Sequence, residues 1–354
     1  MKKVTALVLA LLMTVTLLAA CGSSGTAGGT AAGSAAASAS GSAAASVKEK
    51  KFVFQCVGTD QGTDYITANS FADTVSKMSG GAMTIKVYGA DQLAGGNTNK
   101  ALEMLAKGEV DMGCYAQSVC ANINPLIGIC TLPWTFVSYD DVNEKMSGAA
   151  GEYLKKQFES TGIVWLDYTH NALRQLSNSK HTVATLADLK SLKIRVPGGN
   201  VFMDTWKALG ADPTSMAWSE VFTALQQKTI DGQENGAKTS QSNSIEEVNK
   251  YWTVWNYAYD GYPLLVNKNV WDSLDATQQG ILQDAAKEVC AASRTKVETD
   301  EEGIWASFEK DNGCEITRLT EDQLKPFQDA VASVVESYKN TFGKDAYDAF
   351  GIKW

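Results

Sequence analysis

The sequence predicts an α/β protein built from two lobes that face a cleft, and three observations support this prediction. Its 354 residues suffice for two domains of ordinary size, because one hydrophobic core usually saturates within roughly 100–200 residues. Strand-like apolar segments alternate with amphipathic helical segments, and this alternation runs through the chain twice. Apolar residues make up 44% of the chain, which is normal for a globular protein.

The first cycle of strands and helices ends at residue 115. Short apolar or alternating segments predict the strands, and apolar residues at helical spacing before a glycine predict the helices. The predicted strands cover residues 51–57, 83–88 and 110–115, and the predicted helices cover residues 64–79 and the stretch from a Thr98 cap to Gly108. This β-α-β-α-β order implies a parallel, doubly wound sheet.

The second cycle begins at residue 162 and gives way to a mostly helical final third. The predicted strands cover residues 162–167, 192–196, 212–216 and 229–235, and the predicted helices cover residues 201–209 and 219–227. Thr185 and Asp188 have the spacing of a capping box, which opens a further short helix. Residues 276–309 predict one long helix or two, and residues 344–350 predict a last short helix.

The first twenty residues have the pattern of an export signal. Two lysines precede an uncharged apolar run, so residues 1–20 are predicted to be a signal peptide. The run ends in Leu18-Ala-Ala-Cys21, which resembles the lipobox of bacterial lipoproteins, where the cysteine carries lipid and becomes the first residue. We therefore expect lipidation at Cys21; an ordinary signal peptide with a chance cysteine is the alternative.

A tether is predicted between the lipid and the folded body. Residues 22–46 contain only Gly, Ser, Ala and Thr, which offer nothing to bury against the entropy cost of ordering the chain. Residues 21–47 are therefore predicted to be the lipidated cysteine and a flexible linker, with the folded body starting at residue 48.

The remaining cysteines are predicted to be buried free thiols. They form no C-x-x-C pair, several lie in apolar runs, and a body of this size needs no covalent staples. Export permits disulfides, which are the alternative. The six cysteines are Cys56, Cys114, Cys120, Cys130, Cys290 and Cys314.

Composition excludes several classes of function. The formal net charge of −9 argues against nucleic-acid binding, which needs a basic surface. The chain has two histidines, His170 and His181, so a multi-histidine metal site is excluded. It contains no G-x-S-x-G, Walker A, H-E-x-x-H or G-x-G-x-x-G motif. We therefore expect no enzyme activity, no metal and no cofactor.

Three polar or aromatic residues are predicted to share one edge of the second sheet. Arg195, Trp218 and Asn235 each stand at or just after the carboxyl end of a predicted strand, where ligands bind in open α/β sheets. A guanidinium, an indole and an amide together suit a small organic acid. Taken singly, the arginine could be a solvated surface residue, the tryptophan a core residue and the asparagine a turn residue.

Four motifs within this region resemble the DctP-type extracytoplasmic solute receptors of tripartite ATP-independent periplasmic (TRAP) transporters. Their order and spacing make the resemblance specific, and weaker matches extend it over about residues 50–300. The four motifs are Leu192-Lys-Ile-Arg-Val-Pro197, Leu209-Gly-Ala-Asp-Pro213, Met216-Ala-Trp-Ser-Glu-Val-Phe-Thr-Ala-Leu-Gln-Gln227 and Ile230-Asp-Gly-Gln-Glu-Asn235.

The resemblance implies a periplasmic binding protein fold, with two α/β lobes, a hinge and long bridging helices. Lobe I would comprise residues 48–171 plus about 261–300, and lobe II residues 172–260 plus about 301–354. The family's arginine that pairs with the ligand carboxylate matches Arg195. Further ligand contacts of the family match Asn235, Arg174 and Trp218.

The resemblance also implies a biological role. The chain would be a lipid-anchored, monomeric receptor in the periplasm or on the outer face of the cell membrane. It would deliver a small organic acid to a two-component TRAP permease. Two rivals are a ligand sensor that serves a membrane signalling partner and, less favoured, a secreted α/β enzyme.

Three departures from the family pattern concern the identity of the acid. Residues 95–99, Gly-Gly-Asn-Thr-Asn, stand where many relatives have charged residues, so the first-lobe contacts are expected to be amides and hydroxyls. Trp255-Asn-Tyr257 replaces a Thr-Asn-His motif, and Gly236 replaces a frequent proline.

Overall fold

A single mixed β-sheet of nine strands organises the computed structural model, which describes residues 47–354. Eight strands follow the order β2-β1-β3-β8-β4-β7-β5-β6, and β9 pairs with β8. The strands are β1 Lys50–Cys56, β2 Met83–Tyr88, β3 Met112–Cys114, β4 Ile163–Asn178, β5 Lys193–Val196, β6 Asp212–Ser215, β7 Gly232–Asn235, β8 Tyr251–Asn267 and β9 Glu315–Arg318.

Helices cover both parallel regions of this sheet. They are α1 Thr63–Met78, α2 Thr98–Lys107, α3 Gln117–Cys120, α4 Tyr139–Ser147, α5 Ala149–Glu159, α6 Asn200–Ala208, α7 Trp218–Gln226, α8 Ala237–Gln241, α9 Ile245–Val248, α10 Lys268–Asp272, α11 Ala276–Asn312, α12 Glu321–Ser337, α13 Lys339–Phe342 and α14 Lys344–Ala349. Three short 3-10 helices, of three to seven residues, lie at Gln92–Ala94, Pro125–Thr131 and Leu186–Leu189.

The sheet is parallel at its two ends and antiparallel in its middle. Strands β1, β2 and β3 pair in parallel, as do β5, β6 and β7. Strand β8 is antiparallel to β3 and β4, and β4 is antiparallel to β7. The two predicted α/β cycles are therefore confirmed, and so is the parallel pairing predicted for the strands of the first cycle. The antiparallel middle of the sheet was not predicted.

The two central strands are the part of the fold that the sequence patterns missed. Strand β4 has 16 residues and β8 has 17, and they pair along most of their length. Residues 162–167 had been predicted as a strand, but the rest of β4 and all of β8 had not. Register shifts interrupt the pairing between Trp165 and Asp167, between His170 and Ala172, and between Arg174 and Leu176.

One long helix connects the two ends of the sheet. Helix α11 has 37 residues, so the open choice between one helix and two is decided in favour of one. Asp275 and Gln278 form a capping box at its start, and Gly313 ends it with a left-handed φ of 64°. Its side chains pack on α1, on β4 and on α8. A long bridging helix, as the family resemblance implied, is therefore present.

Most locally predicted elements lie within a few residues of their expected positions. The capping box of Thr185 and Asp188 forms and starts the 3-10 segment that follows it. One cap differs, because α2 is capped by Asn97, whose side chain accepts a hydrogen bond from the Lys100 amide, instead of by Thr98.

Hydrophobic cores flank both parallel regions. Six of the seven cysteines lie in the described part of the chain, and all six are buried and free, which confirms the preferred prediction. The last helix, α14, packs on α5, and the Phe350 ring lies 5.9 Å from that of Phe136. Across residues 47–354, no helix combines the length and apolar character needed to cross a bilayer.

Candidate functional site

A cleft of about 610 Å³ lies where the carboxyl ends of both parallel strand sets meet. Its walls include residues that end or directly follow β1, β3, β5, β6 and β7, so strand direction alone brings these loops together. The central strands β4 and β8 supply its floor. The volume falls in the range of roughly 300–1,000 Å³ that is usual for small-molecule sites.

All four predicted ligand contacts line this cleft: Arg195, Asn235, Arg174 and Trp218. Arg195 lies in β5, Asn235 ends β7, and Trp218 opens α7 directly after β6, as the strand-end argument predicted. Arg174 reaches the same cleft from β4, in the part of that strand that was not predicted.

Arg195 is a buried cation held by a backbone oxygen. Its side chain is 4% exposed, and its Nε and Nη2 atoms donate to the Met216 carbonyl at 3.0 and 2.7 Å. The guanidinium carbon lies 5.3 Å from the centre of the Trp218 ring. Among residues 47–354, no carboxylate oxygen lies within 4.0 Å of its guanidinium nitrogens. Its positive charge therefore faces the cleft without a protein counter-ion in contact.

Burial lowers the pKa of Arg195 to about 10; Glu234 acts in the opposite direction, and Arg174 adds to the lowering. The lowered pKa still leaves the guanidinium charged at neutral pH. A buried charge of this kind is costly unless an anion compensates it. The position is therefore suited to a carboxylate arriving from the cleft, and the guanidinium fork can hold both of its oxygens.

Arg174, by contrast, is paired with two protein acids. Its Nε and Nη2 atoms donate to the two Glu234 carboxylate oxygens at 2.5 and 2.9 Å, and Nη1 donates to Asp260 at 3.1 Å. Burial opposes the charged form, but the attraction of Glu234 and Asp260 raises the pKa of Arg174 above its ordinary value. Arg174 thus organises the floor of the cleft, and its contact with a ligand stays a prediction.

The acids that hold Arg174 have their own supports. Tyr257 donates its hydroxyl to Glu234 at 2.6 Å and accepts the Trp206 indole N–H at 3.1 Å. Ser118 donates its hydroxyl to Asp260 at 2.6 Å and its amide at 3.1 Å. Burial raises the pKa of Asp260, whereas Arg174 and the Ser118 hydrogen bonds lower it in part. The network is therefore well supplied with hydrogen bonds on every side.

Two buried amides present donors to the cleft. The Asn235 side-chain oxygen accepts the Gly236 amide at 2.9 Å, and the Asn171 side-chain oxygen accepts the Thr239 hydroxyl at 2.7 Å. Neither NH₂ group has a hydrogen-bond acceptor among the described residues, and both side chains line the cleft. They are therefore placed to donate to oxygen atoms of a ligand.

The opposite wall is neutral and polar. Gly95 and Gly96 have left-handed φ values of 68° and 80°, which turn the chain into the start of α2. Asn97, Thr98 and Asn99 follow and line the cleft, and Asn122 donates to Asn99 at 2.8 Å. The expectation that this stretch faces the site with amides and hydroxyls is consistent with this placement.

Several cleft residues were missed by sequence reasoning. Ser118 and Asn122 lie in and after the short helix α3, and Asn171, Asp260 and Tyr262 lie in β4 and β8. None of these elements carries a clear local pattern. Knowledge of the antiparallel pairing between β4 and β8 would have been needed to find them.

Comparison with known proteins gives a consistent result. Residues 54–341 match the family model DctP, described as bacterial extracellular solute-binding protein, family 7. The C4-dicarboxylate-binding periplasmic protein DctP of Rhodobacter capsulatus is 31% identical over 289 residues, covering 80% of this chain and 84% of that protein. An uncharacterized protein, y4mM of Sinorhizobium fredii, is 32% identical over 279 residues, and the match spans 50% of that protein's length and 78% of this chain.

Solved structures agree with these sequence relatives. The sugar acid binding protein DctPAm from Advenella mimigardefordensis, in complex with galactonate, superposes with a TM-score of 0.81 at 27% identity. The match covers 86% of this chain and 98% of that one. The two-lobed architecture predicted from the sequence is thereby confirmed.

Proposed function

We propose that this chain, which belongs to the DctP family of bacterial extracellular solute-binding proteins, captures a small organic acid for delivery to a TRAP permease. Family membership supports a receptor that binds and releases its ligand without chemical change. The proposal concerns the ligand class, the mode of capture, the membrane anchor and the transport partner.

The observation that carries the proposal is the state of Arg195. Its guanidinium is buried in the cleft and contacts a backbone carbonyl, so its charge is available to an anion from solution. The Trp218 ring beside it packs a carbon skeleton, and the Asn235 amide donates to a further oxygen. Arg174 also lines the cleft, and the Nη1 hydrogen that is not bonded to Asp260 would supply its weaker contact with the ligand.

Closure of the two lobes would seal the acid from water. We place the hinge at the predicted lobe divisions, between residues 171 and 172 and between residues 260 and 261, because a register shift in β4 and β8 falls there. Gly198 and Asn122 both line the cleft and lie close together, since a Cβ atom built on Gly198 would lie 3.0 Å from the Asn122 side-chain nitrogen Nδ2. Exclusion of water strengthens the attraction between the guanidinium and a carboxylate.

The proposal is tested by identifying the natural ligand. Protein purified without denaturant is heat-denatured, and the released small molecules are analysed by mass spectrometry. We expect a carboxylate that rebinds ligand-free protein in calorimetry, with a smaller radius of gyration by small-angle scattering and no change in monomer mass. If no carboxylate binds, the receptor proposal is wrong. If the radius of gyration is unchanged at saturating ligand, the proposed closure of the lobes is wrong.

We propose further that Cys21 carries the lipid that holds the receptor at the membrane. Cys21, the signal peptide and the tether all lie outside the described residues, so the support is the sequence pattern Leu18-Ala-Ala-Cys21. Cys21→Ser should release protein from the membrane fraction or block its processing. Cys314→Ser is the matched control, and it should leave both unchanged. Unaltered processing and membrane binding of Cys21→Ser would contradict the anchor.

Transport separates this proposal from its rivals. Membrane vesicles that carry the cognate permease should accumulate the identified acid when the receptor is added, and should not do so with Arg195→Ala. Prolonged incubation should return the acid unchanged. A chemical conversion of the acid would favour an enzyme, and binding without stimulated uptake would favour a sensor.

A further inference from the structure

We infer that the ligand is a monocarboxylate carrying several hydroxyl groups, a sugar acid, and not a dicarboxylate. The inference rests on the proposed function and deepens it. The relatives are named for both kinds of acid, so kinship does not decide between them. The charges and hydrogen-bonding groups of this chain's own cleft do.

The cleft offers one cation for one carboxylate. Four charged side chains line it: Arg174, Arg195, Glu220 and Asp260. Arg174 is already bonded to Glu234 and Asp260, which leaves Arg195 as the lining cation without an acidic partner among the described residues. A second ligand carboxylate would enter a site that already contains protein carboxylates. Burying a charge without a partner carries a large penalty.

The wall opposite Arg195 supports the same conclusion. Its polar side chains are neutral: Asn97, Thr98, Asn99, Ser118 and Asn122. Amides and hydroxyls both donate and accept hydrogen bonds, as the hydroxyl groups of a sugar acid do. Lys100, the next residue along α2, is exposed and is not among the cleft-lining residues. No lysine or histidine of the described residues lines the cleft.

The protein carboxylates in the cleft disfavour a second ligand carboxylate. Asp260 already accepts hydrogen bonds from Ser118 and Arg174, and Glu220 is exposed to solvent. A neutral ligand hydroxyl can lie beside either carboxylate without electrostatic repulsion, whereas a second ligand carboxylate would be repelled. The Trp218 and Tyr262 rings supply flat surfaces for the C–H faces of the carbon chain.

Calorimetry on ligand-free, refolded protein tests the inference with D-galactonate, D-glucuronate, D-erythronate and succinate. Since an unpaired buried charge costs roughly 30-fold or more in affinity, we expect at least one sugar acid to bind about 30-fold more tightly than succinate. If succinate binds as tightly as every sugar acid, the inference of a sugar-acid ligand is wrong, and the proposed receptor function is unaffected. Failure of all carboxylates, including the natural extract, would overturn both.

A charge placed on the neutral wall provides a second test. Asn99→Lys adds a cation at an exposed position that lines the cleft, and should narrow the preference for the sugar acid over succinate by about two- to fivefold. Asn99→Leu, the matched control, should weaken sugar-acid binding without improving succinate binding. An unchanged preference in Asn99→Lys, verified as folded by circular dichroism, would contradict the assignment of this wall to ligand hydroxyls.

Discussion

Two arginines meet in one cleft, are buried to nearly the same degree, and differ in what neutralises them. Arg174 is 1% exposed and is bonded to two buried carboxylates, Glu234 and Asp260. Arg195 is 4% exposed and is bonded to the Met216 carbonyl. The first charge is neutralised inside the protein, whereas the second has no acidic partner among the described residues, which is why we propose Arg195 as the carboxylate anchor. Burial alone therefore does not distinguish the two arginines; the counter-ion does.

The aromatic surroundings of the two arginines are alike. The Arg174 guanidinium carbon lies 5.2 Å from the Phe202 ring centre, and that of Arg195 lies 5.3 Å from the Trp218 ring centre. Rings of this kind stabilise a cation without removing its charge. The contrast between the two sites consequently rests on the carboxylates, and substitutions at Arg174, Arg195, Trp218 and Phe202 test it.

Removal of the Arg174 side chain should have the largest effect, and the effect should be on stability. Arg174→Met leaves Glu234 and Asp260 buried without a cation, so the free energy of unfolding should fall by about 3–5 kcal/mol. Urea unfolding followed by circular dichroism measures this loss. Adding Glu234→Gln and Asp260→Asn to the same chain should recover part of it, because no unpaired charge then remains.

Arg195→Met is the matched control for that experiment, since it removes the same kind of side chain from the same cleft. We expect little loss of stability, because no protein carboxylate depends on Arg195. If Arg195→Met destabilises the protein as much as Arg174→Met does, the contrast between the two sites is wrong.

Removal of the Arg195 charge should instead abolish most ligand binding. Arg195→Ala should cost about 2–5 kcal/mol of binding free energy, on the order of 30- to several-thousand-fold in affinity. Arg195→Lys should recover a part, because lysine keeps the charge and loses the fork geometry. Calorimetry with the natural ligand measures both. Affinity of folded Arg195→Ala within about threefold of the unsubstituted protein would place the carboxylate elsewhere.

His170 extends the comparison to a buried base that the protein keeps neutral. It lies in β4 with its ring nitrogens 2.9 Å from the Tyr259 hydroxyl and 3.0 Å from Glu298. Burial lowers the pKa of His170 to about 4, against the opposing effect of Glu298. An unfolded histidine titrates near 6.5, so the unfolded chain binds more protons between these values. The free energy of unfolding should therefore fall as pH falls from about 6.5 to 4, by up to about 3 kcal/mol from this group.

Unfolding free energies measured across this pH range in His170→Gln and in the unsubstituted protein isolate the contribution, because the other titrating groups cancel in the difference. The pH slope should be shallower in His170→Gln. His181→Gln, which changes an exposed histidine, should keep the original slope. Equal slopes in His170→Gln and the unsubstituted protein would show that His170 takes up a proton in the fold as readily as in the unfolded chain.

Substitution of the aromatic rings beside the two arginines should give the smallest effects. The Trp218 and Phe202 substitutions should differ in whether they mainly change affinity or stability. Trp218→Leu should weaken ligand binding by about 2- to 30-fold, from the lost contact with the Arg195 guanidinium and the ligand. Phe202→Leu should lower the free energy of unfolding by about 1 kcal/mol and reduce affinity less than Trp218→Leu does, because Glu234 and Asp260 already neutralise its arginine. Calorimetry and urea unfolding on both variants measure this. An affinity loss in Phe202→Leu equal to that in Trp218→Leu would contradict the contrast between the two arginines.

Local sequence was sufficient to predict the elements at both ends of the sheet. Strands β1, β2, β5 and β6 and helices α1, α6 and α7 follow from apolar spacing and glycine stops. Arg195 and Asn235 could be placed at a ligand-binding edge because a parallel strand presents its carboxyl end on one side regardless of what lies beside it. The family resemblance added Arg174, the hinge and the long bridging helix.

The middle of the sheet could not be predicted in the same way. From residue 169 onward, β4 buries polar residues such as His170, Asn171 and Gln175, which breaks the usual alternation of a strand. Strand β8 contains Gly261 and Pro263, which locally favour a turn. Long-range pairing with β4 overrides both signals, because the ladder satisfies the backbone and neighbouring side chains satisfy the polar groups.

The amino-acid sequence by itself thus determined the two α/β cycles and the strand-end position of the predicted binding residues. It also carries the predicted export and lipid signals. Each of these features depends on residues that are close together in the chain. The tertiary structure decided which of the two arginines, Arg174 or Arg195, has no acidic partner among the described residues. Glu234 and Asp260 are 60 and 86 residues from Arg174 in the chain, and they become its partners because β7 and β8 lie on either side of β4. A charge is neutralised by what is near it in space, and that distance is set by strand order.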